Sequence, residues 1–159
     1  MVLVRCGSRE STYCQLSMCS LGGKVEEGET PLQAANRELK EEAGIEAPLQ
    51  HAGTFLFLSE DVPWAFHIDI YRADSYTGTI TETDEMRPEW FSIASENHHA
   101  PSDFSSYSHL PFDRMWEADR YWVPLLLSGQ PFSGRADFVK VGESSKPRRW
   151  WIGVLSANS

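Results

Sequence analysis

Gly23-Lys-Val-Glu-Glu-Gly-Glu-Thr-Pro-Leu-Gln-Ala-Ala-Asn-Arg-Glu-Leu-Lys-Glu-Glu-Ala-Gly-Ile45 is the stretch from which the rest of the chain can be read. Gly22-Gly23 and Gly28 punctuate a loop. Thr30 then suits the position just before a helix, Pro31 suits its first residue, and Gln33 completes a Thr-x-x-Gln capping box. Gly44 is placed to take the left-handed conformation that ends a helix. The pattern predicts a helix from Thr30 to Gly44. At 100° per residue, Glu38, Glu41 and Glu42 fall within about a third of its circumference. Leu32, Ala35, Leu39 and Ala43 form the neighbouring apolar stripe, and Lys40 points to the other side. Like charges at this spacing repel by on the order of a few tenths of a kcal/mol per exposed pair, and by more when partly buried. Something must offset that repulsion, and a hard divalent cation held by oxygen is the natural candidate.

Working outward, Met1 to Val4 reads as a short strand, and Arg5 to Ser20 is polar without periodicity. Strands are expected at Gly53 to Leu58, Ala65 to Arg72, Thr79 to Thr83 and Glu89 to Ile93. Residues 94–109 read as a flexible surface insertion, with His98, His99 and His109 solvated rather than metal-binding. Pro111 to Leu127 suggests a second helix with a turn or kink near Pro124. Arg135 to Val141 and Trp150 to Leu155 are expected strands joined by Gly142 to Arg149, where Lys146, Arg148 and Arg149 make a solubilising loop. Helices and strands interleave, so the fold class is α/β (α+β) in a single domain over 1–159.

Composition narrows function. Against 14 Lys and Arg stand 23 Asp and Glu, a formal net charge of -9, which disfavours holding a nucleic-acid polymer by phosphate neutralisation. One phosphorylated small molecule is still admissible if a cation bridges the two negative partners. No apolar run has the length of a membrane span, so no membrane partner is expected, and Arg5 interrupts any signal-peptide core. Cys6, Cys14 and Cys19 do not make a secreted disulfide framework. These features point to a soluble, intracellular protein in a reducing compartment; the expectation is a monomer in the cytoplasm, with nuclear or mitochondrial residence also open.

The spacing G-x5-E-x7-R-E-U-x-E-E-x-G-U, with U a bulky apolar residue, is filled by Gly23, Glu29, Arg37, Glu38, Leu39, Glu41, Glu42, Gly44 and Ile45. It resembles the signature box of the MutT/Nudix hydrolases. The resemblance implies an α/β/α sandwich with a mixed sheet and a Mg²⁺ or Mn²⁺ cofactor. It implies metal ligation by Glu38, Glu41 and Glu42, joined by the backbone of Gly22 or Gly23. Arg37 would pair with Glu29 and hold the loop. Glu41, Glu42 or Glu85 would take the proton of an attacking water, and Glu85 is a further metal candidate.

Thr83 to Phe91 and Leu110 to Leu127 further resemble the oxidised-purine nucleoside triphosphatases within that family. Those enzymes act on 8-oxo-dGTP and 2-hydroxy-dATP, releasing monophosphate and pyrophosphate and so keeping damaged nucleotides out of DNA. By that likeness Trp116 would stack on the base, Asp119 would bond its edge and Met86 would touch it. Phe57, Trp122 and Lys24 complete the substrate-binding candidates. Two positions depart from the pattern. Ala118 replaces the first of two base-reading aspartates, and Cys19 stands where an Asn would face the purine. The residues ahead of the box hardly resemble the family's two opening strands, which suggests truncated N-terminal strands. Two other readings follow from these departures: a Nudix hydrolase of dinucleoside polyphosphate or ADP-ribose, and a catalytically weak binding scaffold.

Overall fold

A computed structural model of the chain describes residues 2–6, 22–82, 86–91, 108–142 and 144–155. It is a mixed α+β structure of two compact units, each assembled from two separate segments: 1–48 with 73–116, and 49–72 with 117–159.

The first unit holds helix α1, Pro31–Ala43. Its start is fixed by the capping box: the Gln33 N–H donates to Thr30 Oγ1 at 3.3 Å, and the Thr30 N–H donates to Gln33 Oε1 at 2.8 Å. Gly44 ends it at φ 71°, its N–H donating to the Lys40 carbonyl at 3.0 Å. A side chain there would be strained by the dihedral and would also press on the Thr79 carbonyl, 3.1 Å from the Cβ position. The buried face differs from the expected stripe. Ala34, Leu39 and Ala43 are buried, whereas Leu32 is 42% exposed.

After α1, strand β2 (Ile45–Glu46) pairs antiparallel with β5 (Thr77–Gly78). Of the strand expected at Thr79 to Thr83, the described residues 79–82 are not strand, the pairing lying earlier at Thr77–Gly78, and the Thr81 N–H donates to the Ala43 carbonyl at the helix end. Strand β1 (Val2–Cys6) runs antiparallel to β6 (Met86–Trp90), with Val2 opposite Trp90. Thus β6 sits a few residues ahead of the expected Glu89 to Ile93, and among the described residues one strand, β1, precedes the box. Phe91 is buried against Leu110 and Met115. The helix expected from Pro111 is here one 3₁₀ turn, Phe112–Arg114, which ends as Met115 becomes extended. Most of the 94–109 insertion, with His98 and His99, lies outside the described residues, as do Cys14 and Cys19.

The second unit is a four-stranded mixed sheet in the order β4-β3-β7-β8. Strand β3 (Gln50–Ser59) pairs antiparallel with β4 (Ala65–Arg72) and parallel with β7 (Phe132–Val141), and β7 pairs antiparallel with β8 (Ser144–Val154). Helix α2, Asp119–Ser128, continues through Pro124 rather than turning there. Phe55, Phe132 and Ala136 form the core, with Trp122, Leu125 and Leu126 of α2 and Ile152 of β8 packed on it. Gly134 leaves room for the Phe55 ring, whose nearest atom lies 2.7 Å from where a Cβ would be. The stretch expected as a loop at Gly142 to Arg149 is mostly β8. Lys146, Arg148 and Arg149 therefore sit on a strand that is at the sheet edge among the described residues, a place where charge and Pro147 are tolerated. No described helix is long and apolar enough to cross a membrane.

Candidate active site

Besides the capping box, the loop from Lys24 to Thr30 is tied to α1 by the Arg37 side chain. Its Nε and Nη2 donate to Glu29 Oε1 and Oε2 at 3.0 and 3.2 Å, a two-bond fork. Nη2 also donates to the Lys24 carbonyl at 3.2 Å. Nη1 reaches both Glu38 Oε1 at 2.8 Å and Glu41 Oε2 at 3.1 Å. Glu29 closes the loop on itself, because its Oε2 accepts the Glu26 N–H at 3.0 Å. The Arg37 guanidinium first, then the Glu26 N–H, hold the Glu29 carboxyl below the usual carboxylate range. In return Glu29, then Glu38, push Arg37 above the ordinary guanidinium value.

Lys40, expected on the other side of the helix, pairs with Glu46 at 2.6 Å. Arg37 serves Glu38 and Glu41 as well as Glu29, beyond the single pairing expected. The i,i+4 spacing of Arg37 and Glu41 was the available signal.

The sign of the Glu29 shift sets a pH expectation. A carboxyl with a depressed folded pKa contributes stability above its unfolded value, and that contribution is lost as pH falls through the lowered one. Between about pH 5 and pH 3 the melting midpoint of the wild type should therefore fall more steeply than that of Glu29→Gln. Parallel pH profiles in stepped thermal melts would show that the tie contributes nothing to stability.

Glu38 has a side chain only 15% exposed and lies directly against Gly23. A Cβ on Gly23 would overlap its carboxylate, so the glycine is what lets backbone and carboxylate approach. Among the described residues, no three acidic, His or Cys groups are gathered at metal-ligand spacing. Carboxylate and carbonyl oxygens are the donors that a hard cation takes. Glu38 and Glu41 direct oxygens at one positive group, the Arg37 Nη1, and the Gly23 backbone flanks Glu38. Glu42 lies in the same last turns of α1.

The remaining candidates divide among several places. Glu85 lies outside the described residues, and Met86 is the first residue of β6. Trp116 is 57% exposed. Asp119 opens α2, and its Oδ1 accepts the Trp122 indole N–H at 3.0 Å. Phe57 stacks on Phe55 with ring centroids 4.9 Å apart. Gly22 and Lys24 belong to the loop ahead of α1.

A family model described as the NUDIX domain matches residues 1–126. The chain belongs to the Nudix hydrolase family. This Nudix hydrolase is 38% identical over 118 residues to the oxidized purine nucleoside triphosphate hydrolase of Mus musculus, covering 74% of the chain and 67% of that protein. The protein of the same name from Danio rerio is 39% identical over the same shares of each chain. Among solved structures, the MutT mutator protein of Bacillus halodurans superposes with a TM-score of 0.60 at 18% identity. It covers 95% of this chain and 89% of its own, a likeness of fold.

Proposed function

We propose that this Nudix hydrolase is a Mg²⁺-dependent pyrophosphohydrolase that clears oxidised purine nucleoside triphosphates, such as 8-oxo-dGTP and 2-hydroxy-dATP, from the nucleotide pool. The observation that carries the reading is the box, complete in sequence and drawn together by Arg37, with Glu38 set against Gly23 and Glu41 beside it. The mouse and zebrafish relatives, named for that substrate class, support it. Glu38, Glu41 and Glu42, with Glu85, would hold the cation, Mg²⁺ or Mn²⁺. Bound there it supplies charge neutralisation for the polyphosphate and makes water a better nucleophile. The chain's own part is to position these carboxylates and to accept the water's proton on Glu41, Glu42 or Glu85. Trp116 offers an exposed indole for stacking, and Asp119 offers an acceptor for the base edge. The chain would act as a single-domain monomer in the cytoplasm, with no nucleic-acid polymer or membrane as partner.

The test is pyrophosphate release from 8-oxo-dGTP and from dGTP with Mg²⁺, in wild type and Trp116→Ala. Faster turnover of the oxidised nucleotide, with a KM raised by Trp116→Ala, is the expected result. Equal rates on both nucleotides would overturn the substrate assignment. One observation favours a second reading, a different nucleotide substrate such as dinucleoside polyphosphate or ADP-ribose. Ala118, buried at the entry of α2, offers no polar group where the related enzymes have a carboxylate. A panel of those nucleotides in the same assay separates the two.

A further inference from the structure

Strand β8 is the outer strand of its sheet among the described residues, and it is 11 residues long. Such an edge presents alternate backbone N–H and C=O groups to an incoming chain. Pro147 withholds its own donor, so the ladder open to pairing runs over residues 148–154. The edge is divided in chemistry. One end carries Lys146, Arg148 and Arg149, and the other carries Trp150, Trp151 and Val154, exposed by 47%, 53% and 54%. Adjacent residues of a strand point to opposite faces, so there is one indole on each side. Trp150 is fixed on the α2 side, stacked on Tyr121 with centroids 4.2 Å apart and planes 20° from parallel. Trp151 stands on the other face, its ring 3.7 Å from where a Cβ of Gly153 would be, so the face beside it is bare. Opposing charge is sparse. Strands β7 and β8 carry Arg135, Lys140, Lys146, Arg148 and Arg149 against one carboxylate, Asp137. Both oxygens of Asp137 already accept from Arg135, at 2.7 and 3.2 Å. Glu60 reaches Arg148 at 3.5 Å, in a pair whose side chains are each 61% exposed, and such a pair contributes little and is readily exchanged.

We infer that this edge is a docking site for an acidic, extended segment of another protein, which adds as a strand antiparallel to β8. Its carboxylates lie along Lys146, Arg148 and Arg149, and its apolar residues lie against Trp150 and Trp151. Backbone bonds to residues 148–154 supply strength that any added strand would share, and the two halves of the edge supply selection. Because the neighbouring indoles face opposite ways, the partner meets them with consecutive apolar residues rather than with an alternating run. The order of the halves also fixes direction: read from its N-terminus, an antiparallel partner is apolar first and acidic second.

The test uses the full chain and the peptide fluorescein-Thr-Val-Thr-Val-Val-Glu-Glu-Ser-Glu-amide, read by fluorescence anisotropy beside backbone hydrogen exchange. Binding that protects amides within residues 148–154 is the expected result. The pair of changes Arg148→Glu and Arg149→Glu should raise Kd by about tenfold or more, because the partner's carboxylates then meet like charge. Trp151→Ala, which leaves every cation in place, should also raise Kd, and thermal melts confirm that both variants fold. No binding of the peptide, equal binding of its lysine-for-glutamate version or of its reverse-order version, or protection confined to residues outside β8 would overturn the inference. Two results would assign the edge to another occupant and overturn it equally. One is self-association of the free chain in sedimentation, with the same amides protected, which gives the edge to a second copy. The other is capture of an oligothymidylate in preference to the peptide, which gives it to a nucleic acid.

Discussion

Glu41→Gln is expected to lower the turnover number for pyrophosphate release about 10³-fold, within the range for loss of a catalytic acid or base, while leaving the fold intact. Glutamine keeps the length and one acceptor oxygen, so the Arg37 N–H at 3.1 Å can still be met. The Glu41 side chain is 60% exposed, and an exposed i,i+4 ion pair contributes little to stability. What disappears is the negative charge, on which the cation ligation and proton acceptance proposed for Glu41 depend. The measurement is kcat at saturating Mg²⁺ beside a thermal melt, with Lys40→Gln as the comparison because Lys40 pairs with Glu46 away from the acidic face. A kcat within tenfold of wild type would relieve Glu41 of both roles and pass them to Glu42 or Glu85.

Phe132→Ala should cost about 3–5 kcal/mol of stability, with a drop in melting temperature on the order of 10 °C. Phe132 is fully buried, in edge contact with Phe55 at 6.5 Å and tilted against Trp122. Its ring also rests on Gly53, where a Cβ would stand 2.8 Å from Cζ. Strand β3 on one side and α2 on the other bound the space that truncation would leave. Partial collapse into it is limited by the parallel pairing of β3 with β7, which holds Gly53 opposite Phe132. Urea or thermal unfolding measures the loss, and Phe132→Leu should recover most of it. A cost under about 1 kcal/mol would mean that this core does not limit cooperative unfolding.

How far the sequence foretold these features depended on how local their causes are. Helix α1 was legible to its caps because Thr30, Pro31, Gln33 and Gly44 act within a few residues of one another. Strand β4 was legible because His67, Asp69 and Tyr71 alternate with Ile68 and Ile70. Strand β8 was half missed: Pro147 and a run of cations read as a loop, and only its position at a sheet edge makes them compatible with a strand. The stretch from Pro111 misled for the opposite reason. Proline and Asp113 signal a helix start, yet the chain leaves the turn at Met115, so α2 begins only at Asp119. At the site, spacing alone marked Glu38, Glu41 and Glu42. The reach of Arg37 back to Glu29 and the Lys24 carbonyl depends on the loop's path, which no periodicity encodes. The roles given to Trp116 and Asp119 came from likeness to relatives, since one aromatic and one acid on an apolar helix are otherwise ordinary.

The charged edge of β8 has a consequence for the chain as a solute. Two copies approaching antiparallel, strand to strand, in a register centred between residues 147 and 148 would bring Lys146 of each opposite Arg149 of the other. That repulsion is a guard made of field, and salt shortens its reach to about 8 Å at physiological ionic strength and about 3 Å at molar concentrations. Pro147 is a guard of another kind, a missing N–H that no electrolyte can restore. In dilute buffer the edge is protected twice, and in brine only by the proline.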